Sequence, residues 1–479
     1  MQLSTLKVLT IAIAASTILI LIASCASKHD EIDPKELREI AQRMNLSPLV
    51  TGPIHSAELF DLGQALFFDP ILSGNRDISC ATCHHPDAST GDRIPVSIGT
   101  GGKGLATERE LGSGRKFIAR NAQDLFNRGD PQWHTLFWDG RVQVNYPRGI
   151  KSPAGNDLPK SVPNVLVAQS MFPVISRDEM LGFKDEYSEI SDGNNISNLD
   201  DEELIWEALI GRVLEIPEYR MLFSKAFPEV RLEGFTFVHA AVALAAFQSD
   251  AFAFSNSPFD QFVAGDDSSL SDNQLKGFSL FVGNANCTSC HSGNLFTDQK
   301  FYNIASPQTG PGKGLASPDD YGRFTVTQDF DDLYAFRTPP LRNVELTGPW
   351  FHSGAFIELE EAVKHHIAPL ESLEDYGASD SGINLPTVYD NSWSSRQFSR
   401  SAVDQTGASL AGIYTHIYSE QERLDRVTDS LDSSIQNLPT LTEQEIDSIV
   451  DFLISLTDPE ARDLSGMIPE TVPSGLPID

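Results

Sequence analysis

Two pentapeptides, Cys80-Ala81-Thr82-Cys83-His84 and Cys287-Thr288-Ser289-Cys290-His291, each place two thiols three residues apart with an imidazole directly after. That arrangement suits covalent attachment of a porphyrin: the thiols form thioethers to its vinyl groups, and the adjacent histidine reaches the iron as proximal ligand. Two copies imply two haem c groups, with His84 and His291 as iron ligands. The chain has 5 cysteines, and the fifth, Cys25, falls in an N-terminal export segment, so none is left for a disulfide. Four thiolates from Cys80, Cys83, Cys287 and Cys290 would also suit tetrahedral zinc, but that alternative leaves two identically placed histidines without a role.

Such residues act only if rigid elements present them. Gly63-Gln64-Ala65-Leu66-Phe67-Phe68 precedes the first pentapeptide and Gly277-Phe278-Ser279-Leu280-Phe281-Val282 the second. This weak internal repeat reads as the end of an amphipathic helix running into each haem loop, the way cytochrome c domains begin. Ser271 and Gln274 supply a capping box for the second helix; Thr442 and Glu445 supply one for a last helix along Ile446, Ile449, Val450, Leu453 and Leu456. The apolar spacing of one buried face marks further helices through Leu204, Ile205, Ala208, Leu209 and Val213, and through Phe235, Val238, Val242, Ala245 and Phe247. Strand patterns are scarce. The expectation is a mainly α fold of two cytochrome c-like haem domains with long loops, an N-terminal one over 33–255 and a C-terminal one over 256–465. Loops rich in Gly and Pro from about 86 to 164 would be too long for an ordinary domain, but wrapping a haem supplies the missing core. The Ser- and Asp-rich stretch 371–437 has little periodicity and reads as a surface insertion.

Residues 1–24 carry Lys7, an apolar run from Val8 to Ile22 and the small pair Ala23-Ser24. They read as an export signal, too short and wrongly flanked for a membrane span. Ile22-Ala23-Ser24-Cys25 resembles a bacterial lipobox, which implies cleavage before Cys25 and lipidation of its thiol. The alternative, a simple signal followed by a free cysteine, leaves an exposed thiol in an oxidising compartment. The expected location is periplasmic, with the membrane reached through the lipid anchor only and 26–33 as a short leash. Ala26 lacks the aspartate that often retains lipoproteins at the inner membrane, which points to the outer one. With 35 Lys+Arg against 67 Asp+Glu, the formal charge is −32. No basic stripe exists to neutralise phosphates, which excludes nucleic acid as a natural partner. The acidic surface either steers a basic electron donor, such as a small cytochrome c or cupredoxin, or merely keeps the protein soluble.

Beyond the pentapeptides, Leu66-Phe67-Phe68-Asp69-Pro70, Ser79 to Pro86, Ala119-Arg120-Asn121-Ala122, Phe137-Trp138-Asp139-Gly140-Arg141 and Leu341 to Gly354 resemble the bacterial dihaem cytochrome c peroxidase family, including its MauG-like branch. The match runs from about 55 to 366 and resumes at the final helix. The resemblance implies an N-terminal haem that reacts with hydrogen peroxide and a C-terminal haem that transfers electrons. Peroxide reduction takes two electrons, more than one iron alone supplies, which is a physical reason for two haems in one chain.

Members that need reductive activation hold a distal histidine directly after Ser-Ile-Gly. Here Ser97-Ile98-Gly99 is followed by Thr100, and no histidine lies between His85 and His134. The site therefore resembles the branch whose first haem stays open without prior reduction. His85, next to the proximal ligand, cannot swing to the opposite haem face and reads as a surface or loop residue. Breaking the O–O bond requires a proton to move from the inner oxygen to the outer one, and a carboxylate can shuttle it. The family places a Gln, a Pro and a Glu there, matched in order and spacing by Gln169, Pro173 and Glu179. Without the resemblance, a carboxylate in Arg177-Asp178-Glu179 reads as a solvated surface group.

Family members supply Met or Tyr as sixth ligand of the second haem, on a helix shortly after Phe-His-x-Gly. The corresponding residue is His366, with His365 as competitor, and no methionine lies between Met221 and Met467. A pair of surface histidines is the plainer alternative. Bis-histidine ligation lowers the reduction potential relative to His/Met. Trp138 matches a tryptophan between the two haems; taken alone, it reads as a buried residue beside a turn. Asn121, Thr347 and Pro349 match positions that supply oxygens to a calcium ion. His352 either orders the second haem pocket or serves packing.

Three functions follow. The first is reduction of hydrogen peroxide with electrons from a small periplasmic donor. The second is MauG-like, peroxide-dependent oxidation of an aromatic residue on a partner protein. The third, a non-enzymatic dihaem electron carrier, requires both haems to be six-coordinate and inert, which Thr100, Gln169 and Glu179 argue against. His366 in place of Met leans toward the second reading.

Overall fold

A computed structural model describes residues 33–50, 54–112, 115–184, 194–308, 313, 319–378, 425, 427–435 and 438–478. The export signal 1–24 and Cys25 lie outside the described residues. Helices α1 (Pro34–Arg43), α2 (Ala57–Phe68), α3 (Glu202–Glu215), α4 (Phe237–Ala251), α5 (Asp272–Val282), α6 (Leu359–Ile367), α7 (Pro369–Ala378) and α8 (Glu443–Ile454) form the frame, joined by the helix Pro217–Ala226 and by shorter helical turns. The fold is mainly α. Strands are short: β1 (Thr135–Leu136), β2 (Val142–Asn145) and β3 (Gly149–Lys151) make one antiparallel sheet, and β4 (Phe301–Tyr302) pairs antiparallel with β5 (Phe336–Arg337).

The helices start where side chains satisfy their first N–H groups. Ser56 accepts from Leu59 N at the head of α2, and Asp201 accepts from Leu204 N at the head of α3. Both expected capping boxes are present, Ser271 with Gln274 on α5 and Thr442 with Glu445 on α8. The glycines that open the internal repeat also have a mechanical reason. A Cβ on Gly63 of α2 would lie 2.1 Å from the Ala243 carbonyl oxygen of α4, and one on Gly277 of α5 would lie 1.8 Å from the Ser448 oxygen of α8. Each helix that leads into a pentapeptide thus crosses a partner too closely for any side chain, and the crossing sets its direction.

Two apolar cores result. The first gathers Leu62, Leu66, Phe67, Phe126, Leu209, Tyr219 and Phe247, with Cys80 and Cys83 packed on it. The second is largely aromatic: Phe259, Phe278, Phe281, Phe296 and Phe452 meet at ring separations such as 5.2 Å for Phe259–Phe278 and 5.1 Å for Phe281–Phe452, with Cys287 at its edge. Offset and edge contacts at such distances add to plain burial.

The two chain ends cross over between the cores. Leu37, Ala41 and Leu46 pack into the second core, while Ala461, Leu464 and Val472 pack into the first. The apolar face of α1, with Leu37 and Ala41 buried, is covered by that second core. The tail is held too: Gln64 Nε2 donates to Met467 O at 2.9 Å, and Ser474 Oγ donates to Asp69 Oδ1 at 2.6 Å. Of the expected insertion 371–437, only the edges lie within the described residues. Its first residues continue α7, where Leu373 and Tyr376 are buried, and Val427 near its end joins Leu373 and Tyr334 in a small cluster. Residues 379–424 lie outside the described residues.

Candidate active site

The first pentapeptide forms a single helical turn, Cys80–Cys83, directly after Ser79, whose N–H donates to Thr82 Oγ1 at 3.0 Å. His84 follows, and its Nδ1 lies 3.1 Å from the Thr90 carbonyl oxygen. A carbonyl only accepts, so Nδ1 carries the proton and Nε2 keeps its lone pair. Burial depresses the His84 pKa and holds the ring neutral. Burial pushes the Cys80 and Cys287 thiols up to about 12, unlike a reactive thiolate. His85 is a loop residue but not a surface one: it is buried, with its Nδ1 accepting from Asp87 N at 3.2 Å.

The stretch Ser97 to Gly101 is pinned from both sides. Arg109, itself buried, donates to the carbonyls of Ile98, Gly99 and Gly104 at 2.8, 2.9 and 2.8 Å. Thr100 Oγ1 donates to Asp77 Oδ1 at 2.7 Å and accepts from Asn75 Nδ2 at 2.9 Å, while Gly101 N donates to Asp77 Oδ2 at 2.6 Å. Asn194 extends the network by donating to Asn75 Oδ1 and to Leu181 O. Burial raises the Asp77 pKa, and the bonds from Thr100 and Gly101 oppose that shift. The hydroxyl at position 100 is therefore spent on Asp77 and Asn75.

Gln169 ends the helix Val165–Gln169, Pro173 opens a tight turn Pro173–Ile175, and Glu179 sits in a wide π-turn, Arg177–Leu181. All three are half-buried. Its turn is docked on the pinned stretch: Thr100 N donates to Glu179 O at 2.8 Å, and a Cβ on Gly99 would stand 1.8 Å from Asp178 O. Only glycine at 99 permits that approach, which couples the Glu179 turn to Thr100. Arg177 anchors the other side through the carbonyls of Ser197 and Leu199.

At the second pentapeptide, His291 Nδ1 lies 3.0 Å from Phe296 O, and burial together with the neighbouring His366 lowers the His291 pKa to about 4. His366, near the end of α6, sets its Nδ1 2.7 Å from Ala362 O. The two rings meet edge-on, with centroids 6.1 Å apart and planes inclined at 61°. His365 is committed elsewhere, with Nε2 2.9 Å from Ile304 O and Nδ1 3.0 Å from Ser372 Oγ.

Between the two halves, Trp138 Nε1 donates to Asn121 O at 3.1 Å, and Trp138 O accepts from Arg337 N of β5 at 2.8 Å. Asn121 N donates to His352 O, and Asn121 Nδ2 donates to Ile94 O. His352 stacks on Phe336 with centroids 3.6 Å apart, and its Nδ1 is buried without a protein partner. Thr347 and Pro349 lie in the same loop, Thr347 half-buried and Pro349 buried. Arg120 clamps the halves together, donating to Asp320 through Nε at 2.6 Å and Nη2 at 2.8 Å and pairing with Asp139 at 2.7 Å.

Residues 57–268 match the family described as di-haem cytochrome c peroxidase. Over 309 residues the chain is 31% identical to the methylamine utilization protein MauG of Methylorubrum extorquens, spanning 64% of this chain and 67% of that protein. It is also 31% identical over 304 residues to the cytochrome c551 peroxidase of Pseudomonas aeruginosa, spanning 63% and 70%. The chain belongs to the di-haem cytochrome c peroxidase family. It is an oxidoreductase that acts on peroxide, and membership implies two haem c groups. Likeness of fold extends to the crystal structure of a MauG-like protein associated with microbial copper homeostasis, at TM-score 0.54 and 24% identity over 88% of this chain and 96% of that one. The dihaem peroxidase BthA from Burkholderia thailandensis E264 gives 0.52 and 20% over 88% and 90%.

The residues present fit the haems of a dihaem peroxidase. His84, His291 and His366 each donate Nδ1–H to a backbone carbonyl, the arrangement that orients a metal-binding imidazole and leaves Nε2 free. Two imidazoles bound on opposite sides of one metal at about 2.0–2.1 Å each, with ring centres roughly 1.1 Å behind their nitrogens, would stand about 6.2–6.4 Å apart, close to the 6.1 Å between His291 and His366. The orphaned Nδ1 of His352 adds to this, because a buried polar atom left unpaired costs about 1–3 kcal/mol. Zinc does not fit: Cys80 and Cys83 pack on the first core and Cys287 on the second, and among the described residues no three of His, Cys, Asp and Glu gather around a common point. Sequence reasoning missed Asp77, Asn75, Asn194 and Arg109, because each reaches its partner through loops that carry no periodic signal. Among the described residues no helix is long and apolar enough to cross a membrane.

Proposed function

We propose that this chain reduces hydrogen peroxide to water at a first haem tethered by Cys80 and Cys83 and held by His84. Electrons come through a second haem held by Cys287, Cys290, His291 and His366, from a small periplasmic donor such as a cytochrome c or cupredoxin. When bound, the first iron supplies an open coordination position for peroxide and accepts its oxidising equivalents. Glu179 carries the proton from the inner peroxide oxygen to the outer one, Gln169 hydrogen-bonds beside it, and Pro173 shapes the approach. Trp138, bonded to both halves, offers an aromatic path for the electron between them. Asn121, Thr347 and Pro349 hold a calcium ion through neutral oxygens at that seam. Export with a lipid on Cys25 puts the protein on the periplasmic side of a membrane, the outer one favoured.

The observation that carries this reading is an asymmetry. His366 faces His291, whereas Thr100, standing where activated relatives hold a ligand, is bound to Asp77 and Asn75. This supports a first iron that would stay open and a second that His366 would close. The same His366 favours a second reading, MauG-like oxidation of an aromatic residue on a partner protein, because a bis-histidine site has a low potential. Peroxide titration of the as-isolated protein, with and without a reduced small cytochrome, separates them. Rapid donor oxidation supports the peroxidase, and a long-lived oxidised state with a sluggish donor supports protein modification. A resting ferric spectrum with two low-spin haems would sink the open-site claim and leave only an electron carrier.

A further inference from the structure

Tyr302 ends β4, half-buried, and its hydroxyl touches two groups of unlike chemistry. It donates to Asp298 Oδ2 at 2.6 Å, the short range of a charge-assisted O–H···O⁻ bond, and it rests against the Cys290 sulfur. Asp298 is held in place, accepting from Lys300 N at 3.0 Å through Oδ1 and donating its own N–H to Cys290 O at 2.9 Å. The pairing of Tyr302 with Phe336 across the β4–β5 ladder fixes the Tyr302 backbone. A phenol that loses an electron becomes a strong acid, so it is readily oxidised only where a base takes its proton in the same event. Tyr302 has that base at hydrogen-bond distance and a haem-tethering sulfur at its oxygen.

We propose that Tyr302 and Asp298 form a one-electron port between the second haem and the protein surface; this rests on the dihaem-peroxidase reading above and names its electron entry. After peroxide has oxidised the protein, Tyr302 passes one electron inward past Cys290. Its O–H proton moves to Asp298 Oδ2, leaving a neutral tyrosyl radical. One electron from an external reductant, whether a donor protein or an oxidisable aromatic residue of a partner, and the proton returned by Asp298 restore the phenol. Two such cycles, with two protons from solvent, convert one hydrogen peroxide to two waters.

Among the described residues, two other tyrosines of the second half are placed differently. Tyr376 reaches His366 through Phe356 and Phe351 at ring spacings of 5.5, 5.0 and 5.3 Å, but its hydroxyl donates to the Ala355 carbonyl, which cannot take a proton. Tyr334 donates to Asp319 at 3.1 Å, yet both are buried away from the surface. The test is freeze-quench electron paramagnetic resonance of the holoprotein after peroxide, for wild type, Tyr302→Phe, Asp298→Asn, Tyr334→Phe and Tyr376→Phe. Peroxide consumption is followed in parallel, and the haem absorption spectrum of each variant reports that both haems remain attached. A tyrosyl signal is expected in wild type, Tyr334→Phe and Tyr376→Phe, lost in Tyr302→Phe and weakened in Asp298→Asn. The port is overturned if wild type consumes peroxide without a tyrosyl signal, or if the signal survives Tyr302→Phe. Wild-type protein that leaves peroxide untouched would instead defeat the reading of function beneath it.

Discussion

Adjacent residues on a helix point about 100° apart, so His365 and His366 cannot serve one site together. Their hydrogen bonds divide them: His365 uses both nitrogens on Ile304 and Ser372, while His366 uses only Nδ1. Replacing His366 with Ala should leave both haems attached but turn the second one high-spin in the resting ferric spectrum. His365→Ala should keep it low-spin, and the reverse pattern would exchange their roles. At the first site, Glu179→Gln keeps the shape of the side chain and removes its base. Peroxide turnover should then fall by roughly 10²–10⁴-fold in stopped-flow assays, and an unchanged rate would return Glu179 to a structural part. Residues in contiguous motifs were legible from the chain alone: Cys80, Cys83, His84 and their second-half counterparts announce themselves by spacing. The clamp on Thr100 was not, because Asp77, Asn75 and Asn194 are brought to it by loop packing that no local pattern encodes.

At the scale of elements, the repeat before each pentapeptide was visible as similar strings, but its purpose emerges only from the crossings. Gly63 and Gly277 let α2 and α5 lie against the backbones of α4 and α8, and each crossing aims a helix end at a haem-binding turn. Adding one methyl there forces a backbone shift. Gly63→Ala and Gly277→Ala should each cost about 1–3 kcal/mol of stability, read from denaturant unfolding. Gly211 of α3 is the opposite case, since a Cβ there meets nothing within 4 Å. Gly211→Ala should stabilise by about 0.4–1 kcal/mol through the unfolded chain's lost freedom. If all three alanines behaved alike, the close crossings would not be what selects glycine. Helix starts were legible for a simpler reason: Ser271 with Gln274 and Thr442 with Glu445 satisfy N–H groups within one turn, so the signal is local.

For the whole molecule, the chain ends and the seam decide how the halves hold together, and both escaped the sequence. Nothing in Leu37 or Ala461 says which core each will cover, because an amphipathic segment specifies a face and not an address. The seam rests on Arg120, which pairs with Asp320 and Asp139 from opposite sides. Burial alone would raise the Asp320 pKa, but the Arg120 guanidinium overrides it and holds the carboxyl down at about 2. A carboxylate whose folded pKa lies below its unfolded value adds stability that is present above the unfolded value, near 3.8, and is lost as pH falls through the folded one. That contribution is about 2 kcal/mol at neutral pH. Asp320→Asn should therefore be less stable than wild type by about this amount or more in denaturant unfolding at pH 7. The gap should narrow between roughly pH 4 and pH 2, because wild type then loses the same charge. A difference that stays constant down to pH 2 would mean that Asp320 acts through its shape and neutral hydrogen bonds. The Arg120 pair would then not be the charge that binds the two halves.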